Sequence, residues 1–334
     1  MIALLATIAM AGPFAEIDSA RIEADVRALS DGSIAQSRNI HHPGNAAAEA
    51  WIADQFRAID GLEVTEEVFM ADGVPGVANV VADLPGSDST KPWILITAHL
   101  DSTGSGEDGY DPATDPAPGA DDDASGIAAI LEIARVLSPH EYGSTIRFIA
   151  FNAEEEGLLG AFHHAEALDG QAVQVVFNMD PVGFNPGGGD VLWATYDARW
   201  PDEAAALEAL APTVSETLTV TIIDAELLGG DRRSDHAPFW DEGYAALHLA
   251  SFPQPAEYHT ANDTIDLVDP EFTAAVAGLV AERTAALAGE VVQVEEDKGC
   301  GCTTGGPALF GWWVAVGLVV RRRKNFLGPC HNRR

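Results

Sequence analysis

Cysteine is missing from the first 299 residues; Cys300, Cys302 and Cys330 all fall near the C-terminus. A disulfide inside the preceding body is therefore excluded, and with no second Cys-x-Cys or Cys-x-x-Cys pair a cysteine-held zinc knuckle has no other half. Lysine is nearly as scarce, occurring only as Lys91, Lys298 and Lys324. Positive charge as a whole is in deficit: 18 Lys and Arg face 52 Asp and Glu, a formal net charge of −34. Such a body repels polyanions, which excludes nucleic acid as a partner. The charge suits a salty or extracellular setting and says nothing about catalysis. Internal repeats and long linkers are also absent before about residue 290. What remains is 47% hydrophobic with 32 glycines, a globular composition.

The two ends differ from the body. "MIALLATIAMAGPFAEID" carries an apolar run from Ile2 to Met10 and an Ala9-x-Ala11 cleavage pattern, without the preceding basic residue of a usual leader. Residues 1–15 are expected to be a signal segment. Residues 293–308 form an acidic and Cys-Gly spacer, and residues 309–334 hold an apolar run, Leu309 to Val320, followed by Arg321-Arg322-Arg323-Lys324. As a helix that run is about 18 Å long, short of a bilayer core of about 30 Å. The order of features resembles the myxobacterial-type C-terminal sorting tails. It implies export, a processing machinery as partner, and attachment at the cell surface or release after cleavage. The basic cluster would keep the end inside, and the membrane is met only through the tail.

Residues 16–292 alternate strand-like and helix-like runs. "WILITAHL" (93–100), "STIRFIAFNA" (144–153), "VQVVFNMD" (173–180) and "YAALHLA" (244–250) read as strands. Residues 45–59, 124–137, 201–212 and 270–289 read as helices. Strands apolar throughout fit a sheet covered on both faces. The expected fold is α/β: a three-layer α/β/α sandwich with a mostly parallel mixed central sheet.

Ligands of such sheets sit at the C-terminal ends of strands. There the chain places His99-Leu100-Asp101, then Glu154-Glu155-Glu156, then Asp180, and further on His259-Thr260; Asp121-Asp122-Asp123 falls between the first two. Each alone has a plainer reading as a loop ion pair, a solvated helix start or a turn. Together they are carboxylates and imidazoles, the donors that zinc accepts, and paired metals share a bridging carboxylate.

"AHLDSTG", "GADDDASGIAA", "AEEEGLLGA", "NMDPVG", "SDHAPF" and "HTANDT" stand in the order and spacing of the M28 zinc peptidases, and the stretch from about 38 to 288 resembles the bacterial leucyl-type aminopeptidases among them. "RNIHHPGN" (38–45) is similar to the family's early substrate-side turn. The resemblance implies two Zn2+ per chain. His99 and Asp180 would hold one, Glu155 and His259 the other, and Asp122 would bridge both. It further implies Glu154 as general base, Asp101 behind His99 fixing its tautomer, and Ser234, Asp235 and His236 as support bordering the site. The peptide after the bridging aspartate is often cis in this family. The substrate would be the N-terminus of a peptide or protein.

One departure stands out. Where some relatives carry a disulfide-tied loop with a tyrosine, this chain reads "LLGGDRRSDH". That puts the substrate preference and one transition-state hydrogen bond in doubt. Arg232 and Arg233 are open to two readings, as a clamp for a substrate carboxylate or as solvated surface. His140, His163, His164 and His248 read as structural. A glutaminyl cyclase, a carboxypeptidase-type member and a non-catalytic surface binding module on the same scaffold are the competing functions. A cyclase needs one zinc and not all five ligands, and a binding module would have shed ligands or the base.

Overall fold

The computed structural model describes residues 13–289. All but the end of the expected leader, and the whole of the spacer and tail, lie outside these residues. Helices α1 (Ser19–Ser30) and α2 (Gly44–Arg57) precede a hairpin of β1 (Glu63–Ala71) and β2 (Val74–Leu84). Then come β3 (Trp93–His99), α3 (Gly126–Leu137), β4 (Ile146–Phe151), α4 (Leu159–Ala167), β5 (Val173–Met179) and β6 (Val191–Tyr196). The series closes with α5 (Pro201–Val214), β7 (Thr219–Asp224), α6 (His236–Asp241), β8 (Ala246–Ser251) and α7 (Pro270–Ala288).

The eight strands make one sheet in the order β1-β2-β4-β3-β5-β8-β6-β7. Its centre, β4-β3-β5-β8, is parallel; β1, β2 and β6 join antiparallel, and β7 runs parallel to β6. Alternation along each strand sends its side chains to opposite faces. In β3, Ile94 and Ile96 pack into the cluster formed with α1, α2, α3, α5 and α7, while Leu95 joins α4 and α6 on the other face. Each such fully buried aliphatic side chain is worth about 1.5–3 kcal/mol. The sandwich therefore has three layers, as the apolar strands imply.

The caps show why the helices stop where they do. Asp269 accepts the backbone N–H groups of Glu271 and Phe272 at 3.1 and 3.3 Å, Pro270 fills the first turn, and Gly289 ends α7 at φ 68°. Among the described residues no helix is long and apolar enough to cross a membrane.

Two expected boundaries move for reasons that bear on the site. The helix expected from residue 124 begins at Gly126, because Ala120–Ser125 form a wide turn in which Asp122 and Asp123 are not helical; the Asp122–Asp123 peptide is cis. The strand expected to reach residue 153 ends at Phe151, since Ala153 takes φ 59° and turns the chain out of the sheet.

Candidate metal centre

His99 is the last residue of β3, and its ring is 1% exposed. Its Nε2 lies 3.0 Å from Asp122 Oδ1 and 3.3 Å from Asp180 Oδ1, the latter on the residue that follows β5. His259 reaches the same place from the segment after β8. Its Nε2 lies 3.0 Å from Asp122 Oδ2 and 3.2 Å from Glu155 Oε2. Asp122 thus offers one oxygen to each histidine.

These separations suit metal ligands. Two ligands about 2.0–2.1 Å from a tetrahedral zinc stand roughly 3.3 Å apart. The donors are imidazole and carboxylate, and Asp122 Oδ2 and Glu155 Oε1 are buried without a hydrogen bond. The donor set fits metal binding, and Asp122 faces both histidines. Asp123 also comes near His99 and Asp180. Both of its oxygens are already committed, however, to the backbone N–H groups of His99 at 3.1 Å and Gly126 at 2.9 Å. It holds the turn.

The two outer aspartates of the triplet are fully buried. Asp121 Oδ1 accepts from the N–H groups of Gly183 and Phe184 at 2.9 and 2.8 Å, tying the triplet to the segment after Asp180. Asp101 lies behind His99, its Oδ1 3.5 Å from His99 Nδ1. Its two oxygens also accept the N–H groups of Glu154 and Glu155, both at 3.1 Å. Ser234 donates to Asp180 Oδ2, and Asn178 donates to Ser234 Oγ at 2.7 Å. Thr97 donates to Asn178 Oδ1, also at 2.7 Å, so a buried chain of side chains runs back into the sheet. Asp235 is buried at the start of α6 with neither carboxylate oxygen hydrogen-bonded. His236 has Nε2 3.1 Å from the Asp231 carbonyl and its ring stacked on that of His248.

Charge explains why the cluster calls for cations. Burial raises Glu154 and Glu155 well above the usual carboxyl range, and neighbouring carboxylates, Asp180 beside Glu154 and Asp122 beside Glu155, push the same way. Burial disfavours the charge on His99, yet Asp180 and Glu154 overcome it and raise the imidazole well above its ordinary value. Burial would raise Asp122 too, but His259 and His99 bring it below the usual carboxylate range.

Three nearby residues take part in the centre although the sequence does not single out a role for them there. Asp263 accepts the N–H groups of Asp121 and Asp122 at 2.9 and 3.0 Å; it belongs to "HTANDT", whose aspartate is the only signal. His248, read as a structural strand histidine, lies with Nε2 2.7 Å from the Asp180 carbonyl. Tyr258 stacks on His259 with ring centroids 3.8 Å apart. Burial raises its phenol, and Asp122, Asp180 and Glu155 raise it further, so it stays protonated. A tyrosine thus borders the centre, from the residue before His259 instead of the loop before Ser234. Arg232 pairs with Asp241, and Arg233 with Asp231 at 2.8 Å; the first is an exposed ion pair and the second has an exposed guanidinium.

The surroundings have counterparts in other proteins. The chain is 34% identical over 191 residues to aminopeptidase YwaD of Bacillus subtilis, covering 53% of this chain and 37% of that protein. It is 31% identical over 213 residues to a probable zinc metalloprotease of Pyrenophora tritici-repentis, covering 55% and 48%. The chain therefore spans less than half the length of these two relatives. Its fold superposes on the Legionella pneumophila LapA aminopeptidase with a TM-score of 0.70 at 23% identity, over 83% of this chain and 73% of that one. Residues 79–284 match the model of peptidase family M28, and with more than half of its length so matched the chain belongs to that family.

Proposed function

We propose that this chain is a zinc aminopeptidase that holds two zinc ions and removes residues from the N-termini of peptides. The observation that carries the reading is Asp122, whose two oxygens each lie 3.0 Å from a different histidine. His99 and Asp180 would complete one site, and His259 and Glu155 the other. The chemistry zinc supplies when bound is a lowered pKa for water and polarisation of the scissile carbonyl.

The chain's own residues divide the remaining work. Glu154 has a carboxylate oxygen close to donor atoms of His99 and Glu155; in this reading it serves as base instead of ligand, taking the proton from the attacking water and later giving it to the leaving amine. Asp101 holds the main chain of Glu154 and Glu155 and lies against the ring of His99. Tyr258 keeps its proton and offers an O–H to the oxygen that gains charge as the carbonyl is attacked. The acidic surroundings favour a substrate end that carries an ammonium.

The full set of five ligands and a base argues for peptidase chemistry over a one-metal cyclase and over a binding module that has lost activity. The ion pairs of Arg232 and Arg233 with Asp241 and Asp231 weaken the carboxypeptidase reading. Export and surface attachment belong to the same proposal, supported by the order of features in residues 293–334. The deciding experiment measures bound zinc per chain and digests a peptide library with and without chelator. Loss of one residue at a time from N-termini, abolished by chelation and restored by zinc, is expected. Full activity of metal-free protein overturns the proposal.

A further inference from the structure

Arg38 lies beneath the candidate metal centre and is fully buried. Its guanidinium makes no hydrogen bond to a carboxylate. Nε donates to the Leu100 carbonyl at 2.7 Å, Nη2 to that of Gly119 at 2.9 Å, and Nη1 to those of Pro118 and Leu29 at 2.5 and 3.1 Å. Leu100 stands between His99 and Asp101, and Pro118-Gly119 leads directly into the aspartate triplet. One planar fork therefore bridges the segment that carries His99 and the segment that carries Asp122, and it ties both to the end of α1.

Two more observations show how close that bridge is. Gly119 has φ 52°, and a Cβ added there would come within 3.0 Å of Arg38 Nη2 and 2.3 Å of the Asp122 carbonyl. The turn is pressed onto the guanidinium and needs glycine to be so. Ser102 Oγ accepts the Arg38 backbone N–H at 3.0 Å and donates to the Ala117 carbonyl at 2.7 Å, a second link between the same two segments. Asp263, Asp101, Asp123 and Asp122 act on the guanidinium through space only.

We propose that Arg38 is a positioning residue that sets the distance between His99 and Asp122 before any metal arrives, and so sets the affinity of the centre for zinc. The inference rests on the two-zinc reading: a bridging carboxylate belongs to both ions, so its placement governs both. Geometry, not charge, is the active ingredient, because every donor goes to a main-chain carbonyl. A lysine keeps the charge but has three donors on a flexible stem and cannot span the same acceptors.

The test compares the full chain with Arg38→Lys, Arg38→Met and Ser102→Ala, each shown to be folded by circular dichroism without metal. Two quantities are read: zinc affinity by competition with a chromophoric chelator, and the rise in Tm that a fixed excess of zinc produces. Both Arg38 variants are expected to lose zinc affinity by a similar factor, on the order of 10–100-fold as for other groups that orient ligands. The zinc-induced rise in Tm should shrink with it. Ser102→Ala should move both quantities the same way by less, and it carries the test alone if the arginine variants do not fold. Equal loss of Tm in zinc-free and zinc-loaded protein, with affinity unchanged, makes Arg38 a purely structural residue and overturns the inference. Absence of any zinc-induced rise in the unaltered chain overturns the metal reading itself, and the inference with it.

Discussion

Asp101 Oδ1 accepts the backbone N–H of Glu154 at 3.1 Å, joining the end of β3 to the turn after β4. The contact matters because Ala153, just before that turn, is a non-glycine residue at φ 59°, a conformation that costs of order 1–3 kcal/mol and must be held by its surroundings. Since the other Asp101 oxygen takes the next N–H, replacing it by an amide sets a donor against a donor. Asp101→Asn is therefore expected to lower kcat and weaken zinc binding together, the latter on the order of 10–100-fold. Titration of zinc into the variant, beside its steady-state kinetics, checks this. An unchanged zinc affinity would leave Asp101 no part in orienting the centre.

Glu154 and Glu155 are neighbours with different work. Glu154→Gln should retain bound zinc and near-normal Tm while losing about 10²–10⁴-fold in kcat, the usual worth of a general acid–base group. Glu155→Gln should instead lose zinc from the site it shares with His259, only 3.2 Å away. Metal analysis and kinetics on both variants separate the roles. The reverse pattern would place the base one residue further along.

How much of this was legible in the sequence follows from how each residue is held. The central strands were readable because they are apolar on both faces, and their ends showed His99, Asp180 and the glutamate run as residues out of place. The edge strand β1 carries no such signal: Glu63, Thr65, Glu66 and Glu67 make it half-exposed and polar, although β2 beside it buries residues 77–82. Strands β6 and β7 mix threonine with aliphatics in the same way. Within the site, Asp122 was separable from Asp121 and Asp123 only through resemblance to a family, since three equal side chains in a row carry no local difference. Space separates them: Asp121 and Asp123 bond to main-chain N–H groups while Asp122 meets the two histidines. Asp263 and Arg38 stand inside "HTANDT" and "RNIHHPGN", but their roles are not legible there, because the groups they hold beside His99 and Asp122 lie 141 or more and 62 or more residues away along the chain.

Tyr258 offers a test of how the oxyanion is met. Removing its hydroxyl in Tyr258→Phe leaves the ring stacked on His259, so binding should change little. If the O–H donates to the developing charge, kcat falls on the order of 10²-fold, the cost of losing one such donor, with KM nearly unchanged. A rise in KM alone would make the ring a wall of the substrate pocket and nothing more. Kinetics with a single dipeptide substrate at saturating zinc decides between them.

His236 makes the last prediction, about acid. Burial, reinforced by His248 stacked 4.7 Å away, holds its imidazole at about 3, against an ordinary value near 6.5. Between those two values the unfolded chain binds a proton that the folded chain refuses. Stability therefore rises with pH across that window: the contribution is complete above about pH 6.5 and is lost progressively as pH falls towards 3. Glutamine at this position can still donate to the Asp231 carbonyl, which His236 Nε2 meets at 3.1 Å, but it has no proton to gain. His236→Gln should lower Tm somewhat at neutral pH through imperfect packing, and then lose less Tm than the unaltered chain between pH 6.5 and pH 4. Titrating groups other than the stacked His248 have the same surroundings in both proteins, so the difference between the two Tm curves reports this histidine pair. Parallel curves would show that His236 is not held neutral by the fold.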